Sequence, residues 1–126
     1  MTVACVDTSY LAAIALGERS APRLARRLAS FETLAASTLL EAELRSTLQR
    51  ESRPMVEELI ARISWILPDR SLGPEITRVL HTGYVRGADC LHLASALYVA
   101  PEPATVTFLT LDARQRSVAR ALGFTS

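Results

Sequence analysis

The chain has 126 residues, of which 49% are hydrophobic and 21% charged, and a net charge of +1. That composition suits one folded domain with a real core, and it excludes a disordered chain and a bulk field that would advertise nucleic acid. All 14 basic residues are arginine, which excludes every mechanism that needs a catalytic or phosphate-binding lysine.

No apolar run approaches the roughly 18 residues of a membrane span. The N-terminus leads directly into a strand without a signal peptide, so the expected compartment is the cytoplasm. Cys5 and Cys90 lie in apolar segments with no CxxC spacing. They read as core filling, not as zinc or redox groups.

Val3 to Val6 form an unbroken apolar run, the signature of a strand buried on both faces of a parallel sheet. The run ends in Asp7-Thr8-Ser9, and a helix follows from about Ser9 to Leu16, with Thr8 or Ser9 as its cap. A carboxylate at the end of such a strand either caps the helix or lies where open α/β sheets bind ligands. Gly17 breaks the helix. Ser20-Ala21-Pro22 starts another, with Leu24 and Leu28 on one face. Arg23, Arg26 and Arg27 face elsewhere, either as a solvated surface or as phosphate contacts.

Thr33 to Ala36 reads as a short strand, and Ser37 or Thr38 caps a helix from Leu39 to Arg50. At about 100° per residue, Leu39, Leu40, Leu44 and Leu48 define one apolar arc. Glu43 falls inside that arc. Glu41 falls at its edge and can pair with Arg45 at i+4. An inward carboxylate needs a cation or a metal, so Glu43 is a candidate site residue and Glu41 is a surface residue.

Glu51-Ser52-Arg53-Pro54 opens a further helix to about Ser64. Trp65-Ile66-Leu67 is a short strand stopped by Pro68. Leu72-Gly73-Pro74-Glu75 begins the next helix, which Gly83 ends. The helix after Arg86 is apolar almost all round from Cys90 onward, so it is central. Asp89 sits in its first turn, where the helix dipole favours a negative charge. His92, one turn on, reads as a hydrogen-bonded core residue, since no second His or Cys is spaced for a metal. Pro101-Glu102-Pro103 is a loop. Val106 to Leu111 is a second buried strand, and Asp112 follows it. A helix runs from Arg114 to Leu122, Gly123 closes it, and Phe124 begins an edge strand.

Two strands and two helices thus deliver Asp7, Asp112, Glu43 and Asp89 to one edge of a parallel sheet. Four carboxylates cannot all stay ionised together unless a cation compensates. Hard oxygen donors without His or Cys suit Mg²⁺ or Mn²⁺, and the chemistry they support is metal-assisted phosphodiester cleavage.

The order VDTSYL, TLLEAEL, RGADCLHLASAL and FLTLDARQ resembles the PIN domain, and within it the small VapC-type toxins. The similarity covers essentially the whole chain, 1–126. It implies a three-layer α/β/α fold with a mainly parallel sheet, and an acidic quartet at Asp7, Glu43, Asp89 and Asp112, with Ser9 and Thr110 as nearby hydroxyls. It also implies a Mg²⁺- or Mn²⁺-dependent ribonuclease, a homodimer, and inhibition by a cognate VapB-like antitoxin. The helices after Asp7 are the expected interface and antitoxin groove.

Other α/β readings fail on particular residues. A receiver domain needs a lysine. A haloacid-dehalogenase-type phosphatase needs an Asp where Ser9 stands. A Rossmann fold needs a GxGxxG that the first turn lacks. The alternative that stays open is a PIN-like module that binds RNA or protein without hydrolysis.

Overall fold

The computed structural model describes residues 2–126. In chain order the elements are β1 (Val3–Val6), α1 (Thr8–Ala15), α2 (Ala21–Ala29), β2 (Thr33–Ser37), α3 (Thr38–Arg50), α4 (Glu57–Ala61), β3 (Ile63–Ile66), α5 (Gly73–Thr82) and α6 (Gly87–Val99). A single 3-10 turn (Pro103–Thr105), β4 (Val106–Leu109) and α7 (Ala113–Leu122) complete the chain. The four strands form one parallel sheet in the order β3-β2-β1-β4.

Alternation along the strands sorts the core into two halves. Ala4 and Val6 of β1, with Leu34 and Ala36 of β2, pack against Leu11 of α1, Leu24 and Leu28 of α2, and Leu40, Leu44 and Leu48 of α3. Cys5, Ala35 and Phe108 face the other way, against Val79 of α5, Leu93 and Leu97 of α6, and Val118 and Leu122 of α7. With side chains of period two buried on both sides, the sheet is the middle of a three-layer α/β/α sandwich. Among the described residues no helix is long and apolar enough to cross a membrane.

The chain builds outward from β1 through β2 to β3, then returns to place β4 on the other side of β1. The order therefore reverses between β1 and β4. Open α/β sheets bind ligands at such a switch point, beyond the carboxyl ends of the strands.

Several boundaries differ from the sequence reading. β4 lies at the end of the sheet order, although its apolar character predicts an interior strand. The reason is that the C-terminal segment covers it through a single parallel bridge, Thr107 to Thr125, and Phe124 packs on Phe108 with ring centroids 5.8 Å apart. β4 also stops at Leu109, short of Leu111. Beyond it the backbone amides turn to side chains, Leu111 N–H to Ser9 Oγ at 3.0 Å and Asp112 N–H to Thr110 Oγ1 at 3.0 Å, so no ladder continues.

The helix expected from Glu51 to Ser64 is reduced to one short turn, α4. Ser52 adopts φ 54°, Arg53 N–H closes α3 onto Leu48 O at 2.8 Å, and the residue before Pro54 disfavours helix. β3 then starts at Ile63, which puts Ser64 in a strand. Gly123, at φ 112°, ends α7 in the left-handed region that glycine adopts without strain.

Candidate active site

Asp7 terminates β1 at the switch point. Its amide donates to Leu109 O at 3.0 Å, which ties it to the end of β4. Asp7 occupies the N-cap position of α1; no capping hydrogen bond of good geometry forms, although the Tyr10 backbone N–H in the first turn still pulls its pKa down. The carboxylate is 3% exposed and accepts from Ser9 Oγ at 2.7 Å. Burial pushes its pKa up to about 6, against the opposing pull of the Ser9 hydroxyl and the nearby His92 ring. A buried carboxylate with no arginine partner is held there at an energetic cost that its hydroxyl and amide neighbours only partly offset.

The hydroxyls expected to cap α1 and α3 are drawn elsewhere. Thr8 Oγ1 donates to Glu43 Oε1 at 2.6 Å. Ser37 stands at the N-cap of α3 without a side-chain cap bond, and its Oγ lies 3.0 Å from His92 Nδ1. Glu43, from the second turn of α3, also meets His92 Nε2 at 2.8 Å. The ring thus spans the two groups, with Nδ1 on the Ser37 hydroxyl and Nε2 on the Glu43 carboxylate. Glu41 turns outward and accepts from Arg45 Nε at 2.9 Å.

Asp89 is half-buried in the first turn of α6. Its pKa is raised, first by burial and then by the negative charge of Asp112, with a smaller contribution from Glu43. The two helices are joined here by Gln115, whose Nε2 donates to Asp89 O at 3.2 Å. Asp112 is the N-cap of α7 and accepts from Gln115 N–H at 2.8 Å. The capping reading weighed for Asp7 thus describes Asp112.

Thr110 stitches the floor together. Its Oγ1 donates to Gln115 Oε1 at 2.9 Å and lies 3.4 Å from Ser9 Oγ. Ser9 and Thr110 therefore link Asp7 to the Asp112 turn.

Asp7, Glu43, Asp89 and Asp112 all stand at the carboxyl edge of the sheet, and Asp89 feels the charges of Glu43 and Asp112. Among the described residues, no three His, Cys, Asp or Glu side chains are placed so as to hold a metal ion. Glu43 Oε1 is taken by Thr8 and His92, and one Asp112 oxygen is taken by the α7 cap.

A family model for the PIN domain matches residues 4–121. The chain belongs to the PIN-domain family. No curated protein matches it. PIN domains are generally metal-dependent nucleases that use divalent ions, which places this chain in a nuclease-type fold family.

The donor chemistry of this PIN domain fits such an ion. The candidate ligands are carboxylates, hard oxygen donors, and Asp7 and Asp89 both carry raised pKa values that a nearby cation would reverse.

Sequence reasoning gives His92 a structural role, and it is buried as that reading expects. What the reading misses is its partner, since His92 is the group that orients Glu43. Thr8 and the fully buried Gln115 are also missed. His92 alone carries a signal in the sequence, as a polar residue in an apolar helix that must find a partner, whereas Thr8 and Gln115 stand among polar neighbours that hide their roles.

Proposed function

We propose that this PIN domain is an endoribonuclease dependent on Mg²⁺ or Mn²⁺, and that it acts as the VapC-type toxin of a type II toxin–antitoxin pair. Asp7, Glu43, Asp89 and Asp112 would hold the ion, and Ser9 and Thr110 would position Asp7 and Asp112. The observation that carries the reading is Asp7, a carboxylate buried at the switch point with no arginine partner and a pKa raised by that burial. A bound divalent ion would supply the charge that activates a water and stabilises the departing oxygen of a phosphodiester.

The chain's own residues do the rest. Ser9 holds Asp7 Oδ1 and leaves the other carboxylate oxygen without a hydrogen bond from Ser9. Thr8 and His92 converge on one oxygen of Glu43, which fixes the carboxylate plane and leaves Oε2 available. Asp112 needs only one oxygen for its cap. The partners that accompany this reading are an RNA substrate, a second copy of the chain, and a VapB-like antitoxin in a groove formed by α1 and α2. They rest on the resemblance of the four acidic motifs to VapC-type toxins.

The test is incubation of the metal-stripped protein with total RNA, with and without Mg²⁺ or Mn²⁺, beside Asp7→Asn. Cleavage that needs the ion and is lost in Asp7→Asn supports the nuclease. RNA binding without cleavage at any ion concentration supports the non-catalytic module instead.

A further inference from the structure

Beyond the bridge that Thr125 makes to β4, the sheet edge opens into a pocket of about 280 Å³. Its floor is Phe108 to Leu111, and its walls carry Arg23 and Arg27 of α2 and Arg116 and Arg120 of α7. Each pair is spaced four residues apart, so both members lie on one helix face. Helix α2 packs in one layer of the sandwich and α7 in the other. The two pairs therefore reach the edge from opposite sides of the sheet.

Among the described residues, no Asp or Glu lines the pocket. Among the described residues none of these four arginines forms an ion pair, whereas Arg45, Arg50 and Arg70 each hold a carboxylate. In a chain with 14 basic and 13 acidic residues, four uncompensated guanidiniums around one opening is a local concentration of charge. Two are positioned by neutral acceptors: Arg116 Nη2 donates to Thr110 O at 2.9 Å, and Arg120 Nε to Ser126 Oγ at 2.8 Å. The floor is continuous with the carboxylate site, because Thr110 Oγ1 lies 3.4 Å from Ser9 Oγ, which donates to Asp7.

We propose that this four-arginine pocket binds a backbone phosphate of a single-stranded nucleic acid, next to the bond presented to Asp7, Glu43, Asp89 and Asp112. The identity of the strand rests on the nuclease reading above. Guanidinium forks match phosphate oxygens bidentately, and pairs from two helices can grip one phosphate from both sides. The pocket supplies the local field that the net charge of +1 does not.

The test is fluorescence anisotropy with a labelled single-stranded RNA oligonucleotide in EDTA, where no ion-dependent cleavage occurs. Arg23→Gln with Arg27→Gln is expected to weaken binding about tenfold or more. The slope of log affinity against log salt is expected to become shallower, by about 0.7 for each phosphate that is no longer neutralised. Arg120→Gln, on the other helix, is an independent variant with the same direction. Arg26→Gln removes the same charge from the same helix but outside the pocket, and is expected to bind like the unaltered chain. Unchanged binding in the double variant and Arg120→Gln, or an equal loss in Arg26→Gln, overturns the proposal. A loss of binding to a labelled polyglutamate peptide with RNA binding intact also overturns it. Cleavage by the unaltered chain with Mg²⁺ is read separately, so failure of the pocket and failure of the nuclease reading are distinguishable.

Discussion

Asp7 and His92 show how single residues carry the site. Asp7 is neutral in the unfolded chain only below about pH 4, but in the folded chain burial keeps its proton on up to about pH 6. The folded state therefore binds more protons between those values, and stability falls as pH rises through that window. Asp7→Asn lacks this loss. We expect the metal-free variant to be more stable than the parent above pH 6, by an amount on the order of 1–3 kcal/mol, with the difference vanishing near pH 4. Urea unfolding at several pH values in EDTA measures it, and a pH-independent difference would contradict the burial argument.

His92 predicts the opposite sign. His92→Ala leaves Ser37 Oγ without its ring partner, leaves Glu43 with Thr8 alone and opens a cavity in the core, and is expected to destabilise the fold by about 2 kcal/mol in the same experiment.

At the scale of elements, the site depends on where strands and helices stop. Thr110 ends β4 by giving its hydroxyl to Gln115 and receiving the Asp112 amide. Thr110→Val keeps the shape and removes both bonds. It is expected to cost about 1–3 kcal/mol and to lower RNA cleavage, measured by thermal melts and by cleavage rates. Helix α3 offers an internal control. Glu41 makes an exposed i,i+4 pair with Arg45, side chains 39% and 46% exposed, worth well under about 1 kcal/mol. Glu41→Gln is expected to leave cleavage unchanged, while Glu43→Gln is expected to abolish it. Equal activity of the two variants would remove Glu43 from the site.

Much of this level was legible from residue pattern. The apolar arc of α3 turns Glu43 toward Thr8 and His92 and leaves Glu41 to Arg45, although the two side chains are about equally exposed, at 35% and 39%, and the unbroken run Val3–Val6 marks the strand that ends in Asp7. The short α4 was not legible, because the positive φ of Ser52 and the extended bias before Pro54 override an otherwise helix-compatible run. The margin position of β4 was also hidden. A strand covered by one bridge and by the Phe124 ring is as apolar as an interior one.

On the scale of the whole molecule, the strand order decides the outcome. Because β4 joins the sheet beside β1, the ends of both strands and the first turns of α3, α6 and α7 share one edge. That architecture was readable, since four acidic motifs in order need a common edge. The arginine pairs were not, because α2 and α7 are far apart in sequence and only the fold brings them to one pocket. The same fold keeps both thiols in the core, with the pKa of Cys5 pushed up to about 12 by burial, consistent with filling and not with chemistry.

We propose that the carboxylates at this edge form a divalent-ion site organised by Asp7. Electron paramagnetic resonance of Mn²⁺ titrated into the metal-free protein near neutral pH counts bound ions directly, beside the variants Asp7→Asn and Asp89→Asn. Saturable Mn²⁺ binding by the unaltered chain is expected, weakened about tenfold or more in each variant, with Mg²⁺ displacing the Mn²⁺. Binding that both variants retain in full, or no saturable binding by the unaltered chain, would contradict it.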